Sequence, residues 1–218
     1  MTESICIVGT GRVGTAIGAR LRERGVEVRD GGAELVLLCV PDGAIAGVAR
    51  SIEPGPWVAH VSGATSLSAL DPHRRRFSLH PLQTFTRARG AEQLDGAYGA
   101  VTAETEEARA VAVELAEMLG LRPFDLPDDQ RVLYHAGAAI ASNFLVTLRR
   151  VAGRLVEDAG APPEALEPLM RRTIENGFEL TGPIARGDWA TVDAHVHAIR
   201  ARRPEYERLY RALAEATS

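Results

Sequence analysis

The chain contains no lysine: all 25 of its Lys-plus-Arg positions are arginine. Schiff-base chemistry and acid/base catalysis by an amine are therefore excluded. Cationic work falls to guanidinium groups, which clamp phosphates and carboxylates but do not give up protons near neutral pH. Cysteine is scarce, with only Cys6 and Cys39, each inside an apolar strand-like run. Buried free thiols are expected there rather than a disulfide, as fits a cytoplasmic protein. No apolar run approaches the roughly 18 residues of a membrane helix, and no basic stretch leads into an apolar one at the start. Neither a membrane span nor a secretory leader is expected. A net charge of −4 argues against nucleic acid or an anionic membrane as partner. His195 and His197 stand two apart on a helical segment with no cysteine nearby, so no metal site is expected.

What is present is an ordinary balance of 45% apolar and 25% charged residues over 218 positions, enough for one large or two modest domains. The first half alternates strand and helix signals. Ile5–Val8, Val26–Val28, Leu35–Val40, Trp57–Val61, Phe77–Leu79, Tyr98–Val101 and Pro123–Leu126 read as strands, and Leu35–Val40 is apolar on both faces, as buried parallel strands are. Helices are expected after the glycines, from Pro41-Asp42, and over Glu104–Leu119. This alternation predicts a parallel sheet covered on both sides. From Asp128 the period is helical only, with one long helix to about Gly160 and further helices over Pro163–Glu175, Asp188–Arg200 and Pro204–Ala216. The boundary falls near residue 126, giving an α/β domain over 1–126 and an all-helical one over 127–218. Arg74-Arg75-Arg76 reads as a solvated loop or strand entrance.

Gly9-Thr10-Gly11-Arg12-Val13-Gly14 links the first strand to the first helix. In such a turn the first glycine permits the bend, the second lets a pyrophosphate approach the backbone, and the third lets helix and strand pack closely. NAD or NADP is the expected cofactor, with Val40 and Pro41 at the end of the neighbouring strand. An acidic residue about 20 positions on would hold the ribose hydroxyls. Asp30 is there, but Arg29 beside it favours a 2′-phosphate, so the two point opposite ways. Asp30-Gly31-Gly32-Ala33 then runs straight into the next strand at Glu34, leaving no room for the usual helix and strand. The first mononucleotide half is truncated.

Further polar clusters follow: His60-Val61-Ser62-Gly63-Ala64, His80-Pro81-Leu82-Gln83-Thr84-Phe85, Tyr134-His135 with Ser142-Asn143, and Leu180-Thr181-Gly182-Pro183-Ile184-Ala185-Arg186-Gly187-Asp188. His60, Ser62 and His80 fall at or beyond the ends of sheet strands, where open parallel sheets bind ligands. His80 is either an acid/base residue or a turn anchor before Pro81, while His60 reads as a satisfied core histidine. On the long helix His135 and Asn143 lie about 80° apart and Ser142 about 20° from His135, sharing one face of small alanines that suits a ligand or another helix.

Together with Val40-Pro41-Asp42, these strings resemble, over nearly the whole chain, the Rossmann-like proteins with a C-terminal DUF2520 domain in the 6-phosphogluconate-dehydrogenase-like superfamily. That resemblance implies an NAD(P)-dependent oxidoreductase acting on a small carbonyl or imine compound, such as a keto acid of the ketopantoate kind. It also implies a homodimer formed through the helical domain. His80, His135, Asn143 and Ser62 would then serve catalysis, and Gln83, Thr84, Ser142, Thr181 and Arg186 the substrate. For Arg186 and Asp188, a loop anchor and helix N-cap explain the residues equally well. Related dehydrogenases carry Lys-x-x-x-Asn on the equivalent helix; the position four before Asn143 is Ala139, so their lysine proton donor is missing here. That absence and the truncated half motivate the alternative of a non-catalytic nucleotide-binding or ligand-sensing protein.

Overall fold

The apolar run before the glycines becomes a strand of a seven-stranded sheet ordered β2-β1-β3-β4-β5-β6-β7. In the computed structural model, which describes residues 3–217, the first unit comprises β1 (Ser4–Val8), α1 (Arg12–Glu23), β2 (Glu27–Arg29), β3 (Leu35–Leu38), α2 (Asp42–Arg50), β4 (Trp57–His60), β5 (Arg76–Leu82), β6 (Tyr98–Ala103), α3 (Glu106–Met118), β7 (Arg122–Asp125) and α4 (Arg131–Ala139). The second comprises α5 (Leu145–Asp158), α6 (Leu166–Glu175), α7 (Trp189–Arg202) and α8 (Glu207–Thr217). The units divide between Ile140 and Ala141. The sequence boundary at 126 instead marks the end of the sheet; α4 belongs to the first unit because Arg131 and Tyr134 are bonded to groups on the sheet side.

This is an α/β Rossmann-like arrangement followed by helices. All four residues of β3 are buried, as its continuous apolar run requires. One face of the sheet packs Ile5, Leu35, Leu37, Ala59, Phe77 and Leu79 against Ile17 and Leu21 of α1 and Ala112 and Leu115 of α3. The other packs Cys6, Val36, Leu38 and Val58 against Ile45 and Ala49 of α2. The sheet departs from the all-parallel expectation at one place: β6 runs antiparallel to β5. No crossover helix separates them, only an irregular segment with a 3₁₀ turn at Ala91–Leu94, so the chain re-enters the sheet at the end where it left. Arg76 opens β5 and bridges Glu104 and Asp71, while Arg75 stacks over Trp57 at 4.7 Å.

Within the helical unit, Asp188 caps α7 by accepting from the Thr191 amide at 3.1 Å, and Asp158 on α5 takes a bidentate pair from Arg203 at 2.6 and 2.8 Å. The long helix expected from Asp128 to Gly160 is interrupted by a π-helical stretch at Ile140–Phe144. Among the described residues, no helix is long and apolar enough to cross a membrane.

Candidate functional site

Strand register defines a rim. Val8, Leu38, His60 and Ser78 lie level across β1, β3, β4 and β5, so the glycine turn after Val8 and His80 share one edge. Three inter-strand steps separate β1 from β5, about 14 Å along the rim.

The glycine turn has the form its residues suggest. Gly9 takes φ +115°, and a β-carbon there would overlap the Cys39 carbonyl; a β-carbon on Gly14 would overlap the Gly9 carbonyl. A β-carbon on Gly11 would meet nothing within 4 Å, so the space over the turn is open. Gly11 caps α1 without a side-chain hydrogen bond, and the first turn holds no acidic residue. By contrast, Thr105 caps α3 and is followed by Glu106 and Glu107. The first amides of α1 thus lack the local partner that satisfies those of α3. The Arg12 side chain, exposed beside them with Thr10, makes no ion pair or hydrogen bond among the described residues. Free helix amides and the partial positive pole of a helix N-terminus are the chemistry that a pyrophosphate needs, and Arg12 adds an exposed positive charge in that first turn. Val40 and Pro41 continue from Cys39 into α2, where Pro41 is the N-cap.

At the other end of the rim, His80 Nδ1 is hydrogen-bonded to the Tyr134 hydroxyl at 2.8 Å. Its ring lies edge-on to His135, with centroids 6.1 Å apart. Gly63 holds the space between them: a β-carbon there would come within 2.6 Å of His135 Cδ2 and 2.9 Å of His80 Nε2. Burial first, and then the neighbouring His135 and Arg131, push the His80 pKa down to about 4. Burial pushes Tyr134 up to about 12. Both shifts favour the neutral forms near pH 7.

His60 is fully buried, and its Nδ1 accepts from the Ser62 amide at 3.2 Å. Its pKa is pushed down to about 4, chiefly by burial. The Ser62 hydroxyl lies within its own turn, accepting from the Ala64 and Thr65 amides at 3.2 and 3.0 Å. Gln83 and Thr84 are exposed just past β5, the Gln83 side-chain oxygen accepting from the Thr84 amide at 2.8 Å. Arg29 is turned back along β2 to Glu27 at 2.5 Å. Asp30 follows it, exposed, near enough for its charge to add to burial in raising the Cys6 thiol.

In the helical unit, Ser142 and Asn143 lie in the π-helical stretch, so the angles computed for an ideal helix no longer describe their face. Thr181 and Arg186 are exposed, Arg186 closing a 3₁₀ turn just before the Asp188 cap.

Sequence reasoning assigned no role to Tyr134, although its string was noted, and missed Gly63 and Arg131. Arg131 is wholly buried: it donates to Thr102 Oγ1 at 2.7 Å and to the Ser62 carbonyl, with Asp128 4.0 Å away. Asp128 in turn accepts from Ser66 and the Leu67 amide. Nothing in the local pattern marks that arginine, because its partners are 29 and 69 residues away. Cys6 and Cys39 are free thiols; burial pushes Cys39 up to about 12, so neither is an activated nucleophile. Among the described residues no cluster of His, Cys, Asp or Glu is placed to hold a metal ion.

The fold aligns with a candidate NADP oxidoreductase, BF3122 of Bacteroides fragilis, over 99% of this chain and 98% of that one, with a TM-score of 0.82 and 20% identity. It aligns with protein TM1727 of Thermotoga maritima over 97% and 98%, with a TM-score of 0.75 and 25% identity. A reductive aminase from Aspergillus terreus, solved with NADPH and ethyl-5-oxohexanoate, aligns over 99% and 93%, with a TM-score of 0.70 and 15% identity. No protein of curated function matches the sequence. Residues 97–217, more than half of the chain, match the model of the domain of unknown function DUF2520, and the protein belongs to that family.

Proposed function

We propose that the protein is an NAD(P)-dependent oxidoreductase that reduces a small carbonyl or imine compound bearing a carboxylate, with a keto acid such as ketopantoate as the leading example. The observation that carries this is the shared rim: an uncapped glycine-turn helix at one end and the Gly63–His80–Tyr134–His135 cluster at the other. The oxidoreductases with which the fold aligns support it.

The glycine turn and Arg12 would hold the pyrophosphate, and the cofactor would supply a hydride. His80, neutral at pH 7, donates its Nε2 proton to the substrate oxygen or nitrogen as negative charge builds there. In the same event Nδ1 takes the Tyr134 hydroxyl proton along their hydrogen bond, so that the imidazole stays neutral, and solvent restores the phenol. The chain of transfers runs downhill because an alkoxide is a stronger base than a phenolate, and it needs no lysine. Gly63 keeps the donor nitrogen uncovered. Asn143, Ser142, Thr181 and Arg186 are held as substrate-orienting residues, Arg186 for the carboxylate. Ser62 and the exposed Gln83 and Thr84 would line the rim beside His80.

Calorimetric titration with NADPH and NADH, followed by a keto-acid and imine panel read at 340 nm, tests the proposal. Binding with oxidation of the cofactor is expected. Binding without turnover of any substrate favours the second reading, a ligand sensor, for which the shortened strand β2 and the missing lysine speak. No binding of either cofactor defeats both.

We also propose that the helical unit pairs with a second copy. Phe144, Leu169, Ile174, Phe178 and Leu180 are all more than half exposed there, apolar side chains that a second copy would cover. Sedimentation should give twice the 23.4 kDa chain mass, and Leu169→Glu with Phe178→Glu should shift it to the monomer. A monomeric parent chain would defeat the pairing.

A further inference from the structure

Strand β2 stops short. Arg29, its last residue, lies opposite Cys6, whereas β1 continues to Val8 and β3 rises level with it at Leu38. Two residues of strand correspond to about 7 Å, so β2 ends that far below the rim on which the glycine turn sits. The chain then crosses to the far side of β1 in only five residues, Asp30–Glu34, and re-enters the sheet at Leu35, opposite Ile5. This return runs toward the base of the sheet. Gly32 takes φ +64°, Ala33 is buried with Cys6 and Val36, and the Glu34 amide donates to Ser4 Oγ at 3.2 Å.

The side chains follow the backbone. The Arg29 guanidinium reaches down the strand to Glu27, itself opposite Ser4, and donates to the Gly32 carbonyl at 3.4 Å. It is already paired with a carboxylate and directed away from the rim. Asp30 follows directly on Arg29, past the end of the strand and exposed, with its charge still felt at the Cys6 thiol. In a complete dinucleotide site these two positions would read the adenosine ribose: a carboxylate for free hydroxyls, an arginine for a 2′-phosphate.

Resting on the cofactor reading above, we propose that this site grips a dinucleotide through its pyrophosphate and leaves the adenosine ribose unread. Discrimination between NADH and NADPH is therefore small. The glycine turn, the free amides of α1 and Arg12 act on a part that the two cofactors share.

Calorimetry on the full-length protein tests this without reference to turnover. NADH and NADPH are expected to bind with dissociation constants within about tenfold of each other, a difference below about 1.4 kcal/mol. Arg12→Ala should weaken both by a similar factor, about five- to tenfold. A preference for NADPH beyond tenfold that Arg29→Ala abolishes would overturn the proposal by showing that Arg29 swings up to the 2′-phosphate. A preference for NADH beyond tenfold that Asp30→Asn abolishes would overturn it equally. Either preference leaves the cofactor reading intact, whereas absence of binding by both nucleotides removes that reading and this one together.

Discussion

His80→Ala is expected to lower turnover by about 10²–10⁴-fold, the usual worth of a positioned proton donor, with little change in the thermal midpoint. The imidazole makes one side-chain hydrogen bond, to Tyr134, so its loss leaves the sheet intact. Tyr134→Phe keeps the ring contacts with Phe124 and His80 and removes only the hydroxyl; a fall of about tenfold is expected from losing the second member of the relay. Gly63→Ala is the more informative change. Its methyl group would sit 2.9 Å from His80 Nε2 and 2.6 Å from His135 Cδ2, pushing both rings aside. Turnover should fall nearly as far as in His80→Ala, with a stability loss of about 1–3 kcal/mol from overpacking. If His80→Ala alters the thermal midpoint and leaves turnover unchanged, the imidazole is a turn anchor and the proposed relay is wrong.

The second large effect is acid sensitivity well above the carboxylate range. His60 and His80 have pKa values pushed down to about 4 from an ordinary 6.5, in both cases chiefly by burial. Above pH 6.5 both states of the chain hold these groups neutral, and folding is unaffected by them. As pH falls from 6.5 toward 4, the unfolded chain takes up the protons first and stability drains away, by up to about 3 kcal/mol for each imidazole. Two such groups can remove a large part of the roughly 5–15 kcal/mol that holds a domain together. Urea unfolding at pH 7.5 and pH 4.5 should therefore show a much lower midpoint in acid. His60→Asn, whose side-chain oxygen can replace Nδ1 as acceptor for the Ser62 amide, should flatten that dependence by about half. Equal midpoints at the two pH values for the parent protein would show that the imidazoles are not held neutral by burial.

Most of the architecture was legible because it rests on short-range patterns. The run Leu35–Leu38 could only be a buried strand, and Gly9 and Gly14 follow from backbone crowding that any strand–turn–helix of this kind imposes. The direction of β6 was not legible: Tyr98–Ala103 has the same alternation whichever way it enters the sheet, and only the missing crossover helix decides. The π-helical stretch over Ile140–Phe144 was equally hidden, since one extra residue in a turn leaves no mark on an Ala-rich sequence. Among site residues, His80 stood out by following the apolar run Phe77–Leu79, although β5 continues through it to Leu82 and pairs it with Ala100. The work of Gly63 and Arg131 depends on partners distant in sequence, and a lone glycine or arginine carries no sign of them. The low reach of Arg29 came from strand register, which the sequence signalled only as a shortened loop.

The reversal of β6 also governs which parts of the chain are adjustable. Because β6 runs against β5, and β7 runs with β6, the rim beside His80 receives the outgoing end of β5 and the incoming ends of β6 and β7. The segment 83–97 and the turn at Leu119–Leu121 are both connections on that edge, tied together where the Gly96 amide donates to the Gly120 carbonyl at 3.0 Å. Surface connections accept changes of length and composition far more readily than the strands they join. Within these two connections Ala91, Gln93, Leu94, Leu119 and Leu121 are buried and Arg20 of α1 donates to Asp95 and the Ala91 carbonyl, so the freely adjustable part is the exposed stretch 86–90. A change of length there would alter the rim beside His80 and leave the turn at Gly9, three strands away, untouched.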